Sequence, residues 1–251
     1  GEDGADVLVG GNGNDVLDGG TGNDTLVGGI DNTSWNGSNY YNGAGNDTYL
    51  FGRGDGQDVV WDLDGTAGNI DTISLKDGVA VADVQLTRPW GTNNLVLSIN
   101  GTTDTLTVAR FFEGDGAGFA IEQIRFADNT VWDLATIKAK CLLGTTGADD
   151  ITGYASDDTV NAGDGHDRIS VNAGNDTVLG GAGNDSIWGM DGNDSLKGED
   201  GADGLVGGNG NDVLDGCAGN DTLVGGIDNA GWNGSNYYNG AGNDTYLFGR
   251  G

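Results

Sequence analysis

Along most of this chain one Asp follows another at an interval of nine residues. Aligned on those acids, the sequence shows Gly at positions 1, 2 and 4, Asp at 6 and an aliphatic residue at 8, as in residues 10–18, 19–27 and 180–188. From Gly144 to Val224 the period runs through nine consecutive units, with Asp149, Asp158, Asp167, Asp176, Asp185, Asp194, Asp203, Asp212 and Asp221 at position 6. Asp6, Asp15 and Asp24 fill the same slot near the start, Asp47 and Asp58 fill it after an insertion, and Asp244 recurs near the end. Fifteen carboxylates in one register are not a product of chance.

Each position has a physical reason. Gly reaches the φ > 0 conformations of tight loops and lets another backbone approach closely. Asn fills position 5 in nine of the fifteen units, and Asn is among the few other residues that tolerate the left-handed region. Residues 7 to 9 alternate outward, inward, outward, with Leu, Val, Ile or Tyr inward, which describes a three-residue strand. A nonapeptide is therefore a turn plus a minimal strand. Two of them complete an 18-residue coil, and stacked coils give an all-β chain of two parallel sheets with loops along both edges.

Composition narrows the partners. The chain has 39 acidic and 10 basic side chains, a net charge of −29. So acidic a surface repels phosphate backbones and anionic headgroups, which excludes nucleic acid and disfavours membrane surfaces. No apolar run approaches the ~20 residues of a membrane-spanning helix. Collagen would need abundant Pro, whereas this chain has one Pro among 51 Gly; six Trp, seven Tyr and six Phe speak against disorder. Only four of the acids are Glu; the short Asp predominates, as in tight turns whose side chains reach something close by.

Here the sequence resembles the RTX family, whose glycine-rich nonapeptide forms a calcium-binding β-helix repeat. The resemblance implies a parallel β-roll in which Ca²⁺ sits between loops stacked on one edge. It would be held by the position-6 Asp of units i and i+2 and by loop carbonyls, among them those of Gly11, Gly13, Gly163, Gly165, Gly181, Gly183, Gly208 and Gly210. In the nine-unit run the rule gives seven pairs, from Asp149 with Asp167 to Asp203 with Asp221, and Asp6 with Asp24 adds another, so about eight or more ions are expected. The chemistry agrees, since Ca²⁺ takes 6 to 8 oxygens in flexible geometry. Ser156, Ala162, Val171, Asn172 and Cys217 depart from the glycine pattern, and their coils are expected to bind less well. A chain so charged is expected to fold only with calcium. Since extracellular calcium modules bind at about 10⁻⁴–10⁻³ M, folding is expected outside the cell, with type I secretion implied by the family.

Residues 61–140 break the period and carry six of the ten basic side chains. Residues 71–75, 94–99, 103–108 and 121–126 alternate as strands, and a short helix is expected over 134–140. This stretch resembles the domain associated with haemolysin-type calcium-binding repeats, which implies a β-region that continues or caps the roll around an apolar interior. Three regions follow: a roll over 1–60, the β-region over 61–140 and a second roll over 141–251.

Residues 198–251 repeat residues 1–54 at an offset of 197 with five differences. Together with the lack of a signal-peptide pattern, this leads us to expect a segment of a longer array. Each copy bears an insertion, 30–42 and 227–239, with Trp35, Tyr40 and Tyr41 or Trp232, Tyr237 and Tyr238. These aromatics either cover the roll or offer a contact surface. The one histidine, His166, occupies position 5 of a loop, and Cys141 and Cys217 lack ligand spacing. No zinc helix, nucleophile elbow or phosphate loop is present, so no enzyme is expected. Three functions remain: a structural segment of a large adhesin-like surface protein, a filament that associates with copies of itself, or the folding module of a secreted hydrolase or toxin.

Overall fold

A computed structural model describes residues 1–28, 45–62, 68–116, 121–226 and 245–247. Both aromatic insertions and Asp244 lie outside the described residues. The chain forms two compact units, Gly1–Lys140 and Cys141–Gly251.

The second unit is the simpler. Asp150–Thr152, Arg168–Ser170, Ser186–Asp191, Gly204–Asn209 and Thr222–Val224 make one parallel sheet. Thr159–Asn161, Thr177–Ala182, Ser195–Gly201, Val213–Asp215 and Thr245–Leu247 make the other. Up to Val224 the register steps by 18 residues, so Ile151, Ile169, Ile187 and Leu205 stack in one column and Val160, Val178, Leu196 and Leu214 in the other. All of these position-8 side chains are buried. The interior is thus one side chain deep from each sheet, because each coil contributes one inward residue per strand.

Not every strand is minimal. Four of them run six or seven residues, through the first positions of the following loop. There the loops themselves pair in parallel, Met190 with Gly208 and Gly181 with Glu199. The loops are rungs of the ladder rather than connections outside it.

In the first unit the same stacking begins and is then closed off. Val7–Val9, Thr25–Val27, Gln57–Trp61 and Thr105–Val108 pair in parallel; Leu95–Ile99 and Val84–Thr87 then add antiparallel. On the opposite sheet Val16–Asp18, Thr48–Phe51, Thr72–Leu75 and Gln123–Arg125 are parallel, and Val131–Asp133 turns back antiparallel before the helix Leu134–Lys140. These reversals occupy the edges on which another coil would stack. Inside lie Phe51, Phe111, Ile121, Ile124 and Ile137, all fully buried, with Phe126 edge-on to Trp132 at 4.7 Å. The all-β parallel roll read from the period is the fold observed.

Position 5 departs from the expectation that Asn stands there for its tolerance of φ > 0: among the described residues no position-5 Asn has positive φ. Within the repeats the left-handed residues are at positions 2 and 4, and four of the non-Gly residues at position 2, Asn172, Met190, Glu199 and Cys217, also have φ between 60° and 75°.

Candidate metal centres

The position-6 carboxylates follow each strand-preceding turn and point inward, so that Asp167, Asp176, Asp185, Asp194 and Asp203 are at most 2% exposed. In each, one oxygen is already engaged. Asp167 Oδ1 accepts from the Asp149 N–H at 2.8 Å, and the pattern repeats for Asp176 with Asp158, Asp185 with Asp167, Asp194 with Asp176, Asp203 with Asp185, Asp212 with Asp194 and Asp221 with Asp203. All seven expected i/i+2 pairs are therefore neighbours in space. The first unit adds Asp6 with Asp24, Asp15 with Asp47 and Asp24 with Asp58.

The second oxygen is the informative one. Oδ2 of Asp15, Asp24, Asp167, Asp176, Asp185, Asp194 and Asp203 is buried and accepts no hydrogen bond. A buried carboxylate oxygen without a partner costs on the order of 1–3 kcal/mol or more, so a regular row of them points to a missing cation. Opposite each lies position 1 of its own unit: a Cβ placed at Gly10, Gly19, Gly180, Gly189 or Gly198 would run into the Oδ2 of Asp15, Asp24, Asp185, Asp194 or Asp203. Position 1 is Gly to keep that cradle clear, not for its φ. Positions 2 and 4 are Gly for a different reason. A Cβ at Gly181, Gly183, Gly201 or Gly210 would strike the carbonyl oxygen of Gly163, Gly165, Gly183 or Gly192 in the coil before. Oxygen donors and a cleared cradle fit a hard, oxygen-seeking cation.

Electrostatics agree. Burial first, and like-charged neighbours second, raise Asp167 and Asp194 to about 6 and Asp176 to about 7, while backbone N–H donation opposes the shift. Burial also raises Asp185 and Asp203. Two ionised carboxylates at the ~4.8 Å strand spacing repel by about 3–4 kcal/mol at an effective dielectric near 20. Without cations Asp167, Asp176 and Asp194 keep their protons to higher pH than an ordinary carboxylate.

The structure also places residues that periodicity missed. Position 5 forms its own ladder: Asn175 Oδ1 accepts from the Asn193 N–H and Asn193 Oδ1 from the Asn211 N–H. His166 is one rung of it, exposed, with Nδ1 accepting from the Asn184 N–H at 2.7 Å. Beyond the nonapeptides, Asp71 Oδ1 accepts from the Asp47 N–H and Glu122 Oε2 from the Asp71 N–H. The signal was available in Asp71-Thr-Ile, which repeats the Asp-Thr-Tyr of residues 47–49 without its glycines. Cys141 is buried and Cys217 half-buried, both as free thiols.

A roll of stacked glycine loops with buried, cation-seeking carboxylates defines a calcium-binding repeat module. Residues 1–34, 143–178, 170–205 and 198–229 match the RTX calcium-binding nonapeptide repeat, and residues 94–136 match the haemolysin-type calcium binding protein related domain. The chain belongs to the RTX nonapeptide-repeat family. It is 40% identical over 110 residues to the iron-regulated protein FrpA of Neisseria meningitidis serogroup C, an alignment covering 43% of this chain and 10% of that one. Among solved structures it resembles the extracellular lipase LipA from Serratia marcescens at a TM-score of 0.24 and 19% identity, over 99% of this chain and 37% of that one. Among the described residues no helix is long and apolar enough to cross a membrane.

Proposed function

We propose that this chain is a calcium-folded structural segment of a large secreted or surface protein, adhesin-like in its use of a stiff repeat array. The observation that carries the reading is the row of buried Oδ2 atoms facing position-1 glycines. The ligands would be Asp6, Asp15, Asp24, Asp47, Asp58 and the nine position-6 Asp of residues 149–221, with carbonyls of loop glycines such as Gly163, Gly165, Gly181 and Gly183. Bound Ca²⁺ supplies the positive charge that lets these carboxylates ionise inside the roll. Val171 and Ala162 put a Cβ at position 1, and the sites facing them are expected to be weaker. The near-identity of residues 1–54 and 198–251 supports a structural array over a module attached to a catalytic domain.

Calcium titration of the full chain, read by circular dichroism together with equilibrium dialysis, tests this. The expected result is a rise in β content with several ions bound. Full β content in chelator, or no ion uptake in millimolar calcium, would sink the reading. A filament that associates with copies of itself is separated from an adhesin-like segment by electron microscopy, since only the filament forms fibres with calcium.

A further inference from the structure

We infer that the first unit holds a cation site of a different design, built from Asp47, Asp62 and Asp71. One carboxylate oxygen from each lies within 4.8 Å of the other two. All three residues are at most 1% exposed. Asp62 belongs to no nonapeptide slot. It follows the strand Gln57–Trp61, which pairs with Thr25–Val27, Trp61 beside Val27. The next residues in that register are Asp62 and Gly28, so Asp62 brings a third carboxylate to the place where a repeat coil has a position-1 glycine.

Two observations independent of the acid cluster point to a ligand. Asp71 is fully buried, its Oδ1 is taken by the Asp47 N–H, and its Oδ2 has no hydrogen-bond partner. Gly28 leaves open the space beside the group: a Cβ there would meet the Tyr49 hydroxyl and Asp47 Oδ2. Tyr49, itself fully buried, donates its hydroxyl hydrogen to Asp62 Oδ2 at 3.0 Å and so fixes how that carboxylate is turned.

The donor chemistry selects the ion. Three carboxylates and no His or Cys suit a hard cation rather than zinc, and so buried a site has little room for the water shell that Mg²⁺ retains. The occupant is one Ca²⁺, held by three carboxylates where a repeat pair supplies two. This site therefore fills before the nonapeptide loops, and it lies between the last glycine loops of the first unit and its apolar β-region. The inference does not rest on the loops binding calcium.

The test uses the whole chain. Wild-type protein labelled with ¹³C at the aspartate carboxyl carbons is titrated with Ca²⁺. The Asp62 and Asp71 signals should move within the first equivalent, ahead of Asp185 and Asp194. Asp62→Asn, checked for native β content in saturating calcium, should bind one ion fewer and lose the tightest step by at least tenfold. Asp62 and Asp71 carbons that stay unmoved by calcium, or move only with the loop residues, would overturn the site, as would an unchanged first affinity in Asp62→Asn. If Asp62→Asn does not fold, the wild-type titration alone decides. Loss of the loop signals with retention of the first step would instead remove the proposed loop sites and leave this one standing.

Discussion

The two units use the same nine-residue grammar to different ends. In the second unit the interior is a pair of aliphatic columns flanked by rows of buried acids, whose charge is offset only by bound cations or by protonation. In the first, Phe111, Phe112, Phe126, Trp132 and Ile137 supply a broad apolar core, and antiparallel strands close both sheets. Burial of such side chains contributes about 1.5–3 kcal/mol each without any ion. We propose from this difference that calcium dependence belongs to the coils of both units, and that the expectation of no folding without calcium applies least to the apolar region of residues 84–140.

The sharpest way to break that contrast is to remove calcium. Seven i/i+2 sites at 100 times their dissociation constants would add on the order of 20 kcal/mol if independent. Chelator should then abolish hydrogen-exchange protection over residues 150–224 while residues 84–140 keep theirs. Simultaneous loss in both units would end the distinction.

Acid should partly replace the metal. Asp167 and Asp194 titrate at about 6 and Asp176 at about 7 in the metal-free roll, against ~3.9 for an unfolded Asp. The fold therefore binds more protons than the unfolded chain between those values, and its stability falls as pH rises through them. In chelator the β content of the second unit should be highest near pH 4 and drop by pH 8, with a loss on the order of 5 kcal/mol; a flat profile would show that the columns do not carry the dependence.

Single substitutions sharpen the comparison further. Asp185→Ala removes a partner of both Asp167 and Asp203, so denaturant unfolding in saturating calcium should show up to about 5 kcal/mol lost, shrinking as the calcium concentration is lowered. Phe111→Ala should cost about 3–5 kcal/mol with and without calcium. Gly183→Ala, at φ 139° and against the Gly165 carbonyl, should cost about 1–3 kcal/mol. Smallest of all, His166→Ala should lose about 1 kcal/mol of ladder, and His166→Asn should restore it.

Much of this was legible before any coordinates. Asp at position 6 and an aliphatic residue at 8 gave the coil, its register and the acid pairs, because both are set by a strict period. The helix at Leu134–Lys140 and the strand at Leu95–Ile99 followed from local alternation. What escaped the period was whatever the fold joins at other spacings. Asp47 meets Asp71 across 24 residues and Asp15 meets Asp47 across 32, so neither offset resembles 18. The Asn ladder escapes for another reason: backbone preference concerns each Asn alone, whereas its side chain accepts from the next coil.

The two ladders run in opposite senses. At position 6 the earlier coil donates its N–H to the later side chain, as Asp167 does to Asp185. At position 5 the later coil donates to the earlier side chain, as Asn193 does to Asn175. One face of any coil thus offers an Asp amide and an Asn oxygen, and the other an Asp oxygen and an Asn amide. The faces fit each other as plug and socket but never match themselves. Coils can join only head to tail, which gives the roll a direction that neither its period nor its charge contains.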